Sequence, residues 1–303
     1  VTFDYYNKKT TGMLQTVQIP AFAGYLGQPW ANVGNMTNKG VELELGYRKD
    51  FRGDFHLNIN GNISYNKNEI TYLGNGVSYL NGGATWQASL YPLTRQAVGQ
   101  PYGEFFGFKD LGTFKSQAEI DSYGYTDGSG KFQAYQPNAK PGDLKWWKNP
   151  NNPDDGGKGA IGEGDRTFLG DPNPHYIYGF NINFAWKNWD LLAFGQGVWG
   201  NKIFQAYRRR DVGVGGYFGG ANYQVQALDA WTTLNPNSDY PRITDVDPND
   251  NFSNPSSFYL QSGAYFKLNT LQIGYTLPKS LLSVIKFQTI RIFASATNLF
   301  TLS

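Results

Sequence analysis

Four carboxylates crowd one glycine-rich stretch, Asp154, Asp155, Glu163 and Asp165 within PNNPDDGGKGAIGEGD. Several hard oxygens on a glycine-bent backbone are what a calcium ion takes. Lys158, in the middle of the run, opposes any cation, so 149–166 reads as a solvated loop in preference to a calcium site. Glu42 and Glu44 stand two apart on one strand face. Paired carboxylates can hydrolyse a glycoside, but charge facing water is the preferred reading. His56 and His175 lie far apart with no partner at metal spacing. No Gly-x-Ser-x-Gly, phosphate-cradling glycine loop or His-Glu-x-x-His occurs. No catalytic residue, metal or other cofactor is therefore assigned, and the chain is not read as an enzyme. Binding chemistry remains. Trp86, Tyr91, Trp146, Trp147, Trp231 and Tyr240 are aromatics in polar loops. Their faces could stack on sugars or peptide side chains, or anchor loop packing. Arg208, Arg209 and Arg210 suit an anionic substrate, or pair with loop acids.

The elements that position these groups are strands. Aromatics make up 17% of the 303 residues, and there are 37 glycines. That excess fits many strands and tight turns and does not fit helices. Mean hydropathy is negative, and no window reaches the ~18 apolar residues of a spanning helix. Barrel strands, which are only half apolar, escape that test. A net charge of +2 gives no footprint for nucleic acid, and the lack of cysteine excludes disulfides and thiolate metal sites.

Period-two alternation predicts strands at 1–8, 41–49, 55–69, 176–187, 189–201, 263–277 and 289–301, with another at 105–114. In 55–69, Phe55, Leu57, Ile59, Ile63 and Tyr65 alternate with His56, Asn58, Asn60, Asn62 and Ser64. An amide-rich face belongs beside water. A membrane barrel strand needs ~9–11 residues, longer than the usual ~5–6 of a globular strand. Glycine- and proline-rich loops fill 10–39, 71–102, 127–175 and 202–262. Ser116 and Glu119 give the one helical signal, over 115–123. Short turns follow Lys49 and Lys187; long loops follow Lys8, Ile70, Phe114, Asn201 and Leu277. Tyr5, Tyr65, Trp186, Trp189 and Trp199, at strand ends, read as an interfacial girdle. The fold class is all-β, an antiparallel transmembrane barrel with long extracellular loops.

The segments PGDLK, GEGDRTFLGDPNPHYIYGF, WDLLAFGQGVWGNKI, LNTLQIGYTLP and ASATNLFT resemble the C-terminal half of a SusC/RagA-type TonB-dependent transporter. The resemblance covers essentially the whole chain. It implies the C-terminal portion of one barrel of about 22 strands in the whole protein, with a plug domain and the last strands elsewhere. It implies the outer membrane of a Bacteroidota-type Gram-negative bacterium and import of an oligosaccharide or peptide. It also implies a SusD-like surface lipoprotein and a TonB-ExbB-ExbD contact through an N-terminal region. The family's calcium-like loop falls at 149–166, where Gly157-Lys158-Gly159 replaces its acidic step. Both ends are expected to be cut from a longer protein. Two alternatives stand beside this reading: a secreted all-β glycan-binding or glycan-cleaving protein, and a passive porin.

Overall fold

A computed structural model describes residues 1–16, 29–74, 76–85, 91–209 and 222–303. In chain order the strands are β1 (Thr2–Thr16), β2 (Trp30–Phe51), β3 (Phe55–Tyr72), β4 (Tyr79–Thr85), β5 (Pro92–Ala97), β6 (Phe105–Gly107) and β7 (Asp110–Thr113). Helix α1 (Gln117–Ser122) follows, then β8 (Gly124–Thr126), β9 (Phe132–Ala134), β10 (Leu144–Trp146), β11 (Thr167–Gly170), β12 (Tyr176–Trp186) and β13 (Trp189–Trp199). The chain continues through β14 (Lys202–Phe204), β15 (Leu260–Ser262), β16 (Tyr265–Thr276), α2 (Lys279–Ile285) and β17 (Arg291–Leu302).

Seven long strands make one antiparallel sheet in the order β1-β2-β3-β12-β13-β16-β17. Register puts Phe55, Leu57, Ile59 and Ile63 of β3 beside Trp186, Phe184, Ile182 and Tyr178 of β12, on one face. No described element covers this face: Leu45, Tyr47, Ile63, Trp189, Trp199 and Ile292 are each 45–63% exposed. A sandwich would bury it against a second sheet, so the secreted all-β alternative loses its structural basis. Aromatic rings collect at both ends of the face. Phe51–Phe55, Phe55–Phe184 and Trp189–Tyr275 pack at 4.7–5.0 Å at the turn end. Tyr65–Tyr176 and Tyr176–Trp199 pack at 5.0 and 5.5 Å at the loop end. The 11 residues of β12 between the belts run roughly 35 Å. At the tilt of such barrels this is about 27 Å of membrane thickness.

The turn end has tight connections at 52–54 and 187–188. The segment after Leu277, expected among the long loops, also lies there: Thr276 N–H donates to Asn188 O at 2.8 Å, and α2 closes the connection. Antiparallel order leaves it no other end, because β13 carries the chain away from the turns and β16 brings it back. At the other end, β1 and β2 continue past the belt to Thr16 and back to Trp30, where a loop was expected. A register shift after Thr10 takes in Gly12, at φ 68°. Met13, Leu14, Trp30 and Val33 are scattered over both faces of this mostly polar extension, so no alternation marks it.

The described residues of 73–175 and 200–264 leave the sheet at the loop end and fold together as a cap. The expected strand 105–114 divides between two small sheets: β6 lies in the order β11-β6-β5-β4, and β7 pairs with β10. Two further pairs, β8-β9 and β14-β15, complete it. Helix α1 is capped as expected, with Glu119 N–H donating to Ser116 Oγ at 3.3 Å and Lys115 N–H donating to Glu119 Oε2 at 2.8 Å. The cap has its own core of Phe108, Leu144, Trp146, Ala230, Tyr240, Phe252, Phe258 and Tyr259. These come from both connections, so neither can fold this core alone.

Candidate functional site

The polar face of the sheet is the first surface with binding character. On β3 and β12, Asn58, Asn60 and Asn62 face Asn183, Asn181 and Gly179 in register. Asn60 donates to Asn58 at 3.2 Å and Asn183 to Asn181 at 3.0 Å, so the amides form a ladder that still presents groups to water. Glu42 and Glu44 stand on the same face, opposite Ser64 and Asn62 of β3 and Asp4 and Thr2 of β1. Like charges opposed across strands are tolerated where water screens them. No glycosidase-like pairing with a general acid is present among the described residues. His56 is on this face too, 2.6 Å from Asp50.

Three clefts indent this face. One of about 430 Å³ near the turn end is lined by Arg48, Asp50, His56, Asn183 and Gln272. One of about 130 Å³ lies between Glu44, Asn60, Asn181 and Phe194. One of about 210 Å³ is bounded by Asp4, Glu42, Glu44 and Ser64. Asp190 and Arg291 pair at 2.9 Å across Gly274, whose missing side chain leaves room for the guanidinium. Sequence reasoning missed Phe194, Asp190 and Arg291. In β13, Asp190 and Gln196 share the wet side with Leu192, Phe194 and Val198, so alternation marks that side only weakly.

The cap receives most of the expected cargo residues and hides several. Trp146 is only 2% exposed, its Nε1 donates to Asn249 O, and its ring packs on Phe108 at 5.9 Å. Arg209 is 1% exposed, with its guanidinium over Phe252. Both are buried where the two long connections close over them, which favours loop packing over cargo contact. Tyr91 packs against Phe108 at 5.6 Å and under the Arg166 guanidinium at 4.6 Å; burial raises its pKa. Arg208 donates to Phe258 O and stacks on that ring at 4.2 Å. Trp231 lies over Gly142. Trp147 is half-buried at the end of β10. Trp86 and Arg210 lie outside the described residues.

The acidic loop is built around an ammonium. Lys148 Nζ sits 2.6 Å from Asp155 and 3.0 Å from Asp165. Asp165, fully buried, also accepts N–H bonds from Asn149 and Gly162 at 3.0 and 2.9 Å. Asp154 and Glu163 are exposed. The four carboxylates thus do not converge on one point, and the lysine already supplies the positive charge. This donor set does not fit a calcium ion. The opposing lysine is Lys148, not the exposed Lys158.

Asp143 ties the two connections together. It is fully buried and accepts from Arg242 Nε at 2.6 Å and Asn251 Nδ2 at 2.8 Å. Asn251 in turn accepts from Leu144 N–H at 2.9 Å, and Gln136 links Leu144 O to Asn249.

Residues 1–149 match the family model described as TonB dependent receptor-like, beta-barrel. The chain is 30% identical to the TonB-dependent receptor P26 of Formosa agariphila, over 98% of this chain and 28% of that protein. It is 22% identical to the TonB-dependent receptor SusC of Bacteroides thetaiotaomicron, over 99% of this chain and 26% of that one. Its fold matches the RagAB peptide transporter with a TM-score of 0.70 at 23% identity, covering 99% of this chain and 29% of that one. The chain therefore spans a little over a quarter of the length of these relatives.

Proposed function

We propose, from this likeness to TonB-dependent receptors, that the chain belongs to a SusC/RagA-type receptor and that the protein imports a nutrient across the outer membrane. The observation that carries this is the two-faced sheet: an exposed apolar band between aromatic belts, an amide-lined opposite face, and a folded cap at one end. Edge strands as long as β1 and β17 are templates for more strands. On this reading the chain is one part of a barrel of about 22 strands, whose plug lies elsewhere in the protein. Cargo is an oligosaccharide or a peptide; amide and aromatic groups serve both. A SusD-like lipoprotein acts as lid over the cap. Val225, Leu228 and Leu234, 79–96% exposed, offer it an apolar contact. The TonB-ExbB-ExbD complex supplies the energy, and the barrel makes and breaks no bonds.

The test is uptake of labelled peptides and oligosaccharides by cells with and without the full-length gene. Gene-dependent uptake that stops when an uncoupler collapses the inner-membrane proton gradient supports import. Uptake that continues under the uncoupler identifies a passive porin instead.

A further inference from the structure

Above the last β3-β12 rung, where Asn66 N–H meets His175 O, β12 has ended and β3 runs on. The wall closes again at Ile70, which pairs with Gly99 and Gln100. Between these rungs lies a cavity of about 380 Å³ at the seam of barrel and cap, lined by Asn68, Gln100, Glu104, Asp171, His175 and Lys202. Glu104 is 8% exposed, and its Oε2 has no hydrogen-bond partner. Two lysines border the cavity, and neither is among the charges that act on Glu104. Lys67 pairs with Glu69 at 3.0 Å, and the stem of Lys202 lies across Gly170. The charge that acts on Glu104 is Asp171, of the same sign. Asp171 is itself satisfied by Asn173 at 2.8 Å and by His175 Nε2 at 3.2 Å. A buried carboxylate oxygen with no donor is costly, so Glu104 Oε2 lacks a donor that a bound group can supply.

We propose that this seam cavity binds a primary ammonium group of the cargo, with Glu104 Oε2 as its acceptor. The volume is far larger than a metal ion needs, and no cluster of three metal-ligating side chains occurs among the described residues. An ammonium on a chain fills both the charge and the space. Only the source of the group rests on the import reading. Burial and Asp171 raise the Glu104 pKa to about 7. At neutral pH, binding therefore expels about half a proton per site to the buffer as the carboxyl ionises.

Calorimetry on the full-length protein in detergent at pH 7, in two buffers of different ionisation enthalpy, reads both binding and proton release. The probe is n-butylammonium, with neutral butyramide as its control. The wild type is expected to bind the cation, ignore the amide and release the proton. Glu104→Gln should lose the release and at least about tenfold in affinity, the usual loss with a charged partner. Glu104→Asp, which keeps the charge, should retain part of both. Equal affinity and equal proton release in wild type and Glu104→Gln overturn the site, as does equal binding of butyramide. The peptide Gly-Lys-Gly is then compared with its doubly acetylated form. Tighter binding of the free form ties the group to peptide cargo, and equal binding overturns that tie. Energy-dependent uptake is scored separately. Loss of uptake with amine binding intact counts against import alone, and the reverse counts against the seam site alone.

Discussion

Lys148 and Glu104 show opposite electrostatic choices in one cap. Burial works against the Lys148 charge, but Asp155 and Asp165 outweigh it and hold its pKa above the usual lysine value. Asp155 is held below its usual value, with burial again outweighed, here by the lysine. The pair therefore stabilises the cap fully between the ordinary aspartate and lysine values of 3.8 and 10.5. That stability is lost as pH falls through the lowered Asp155 value or rises through the raised Lys148 value. Lys148→Met strands the buried Asp165 and should cost about 3 kcal/mol, seen as faster hydrogen exchange across 146–166 near pH 7. Unchanged exchange would show that the ammonium is dispensable. Glu104 has the reverse sign. Its raised pKa means that the folded seam holds a proton the unfolded chain gives up, so stability falls as pH climbs from about 4.5 to about 7. Glu104→Gln should flatten that slope, read as seam protection at pH 5 and pH 8.

The long strands depend on glycines under aromatic rings. At Gly40 an added side chain would run into the Tyr65 carbonyl and the Tyr6 ring, which crosses Gly40 to donate to Asn66 at 3.0 Å. Gly40→Val should cost at least about 2 kcal/mol by overpacking and the lost hydrogen bond. The readout is the temperature at which the full-length barrel loses its compact migration in detergent gels. A shift under a degree or two would mean that β1 moves away freely. Elements of this kind were legible where one face meets lipid and the other water. Phe55–Tyr65 and Tyr176–Trp186 show their alternation openly, so their two faces could be told apart, while their pairing came only from the structure. The same physics hid the extensions beyond the belts. Asn7–Thr16 and Trp30–Lys39 are mostly polar, with Met13, Leu14, Trp30, Val33 and Met36 in no alternating pattern, and Gly12 and Gly34 look like loop chemistry. It also hid the cap core, because Trp146 is surrounded in sequence by Lys145, Trp147 and Lys148. Trp146 packs on Phe108 and donates to Asn249 O, which lies more than a hundred residues away.

Across the whole molecule, Asp143 is the point where the two connections meet. Its neighbours Arg242 and Asn251 belong to one connection and its own backbone to the other. Asp143→Ala leaves Arg242 without its partner and should cost at least about 3 kcal/mol. Hydrogen exchange should rise together in 136–146 and 242–254, with 55–65 and 176–186 unchanged. A rise on one side only would show that the connections fold separately. Because one core and one polar network are drawn from both, exchanging a single connection between homologues would break the cap, and on the import reading a new cargo preference cannot be acquired that way. A chimera carrying a foreign 73–175 over the native 200–264 would join two mismatched halves of a core. Diversification in this part of the protein is expected to proceed by paired inheritance of the two segments, with the strands between them left as they are.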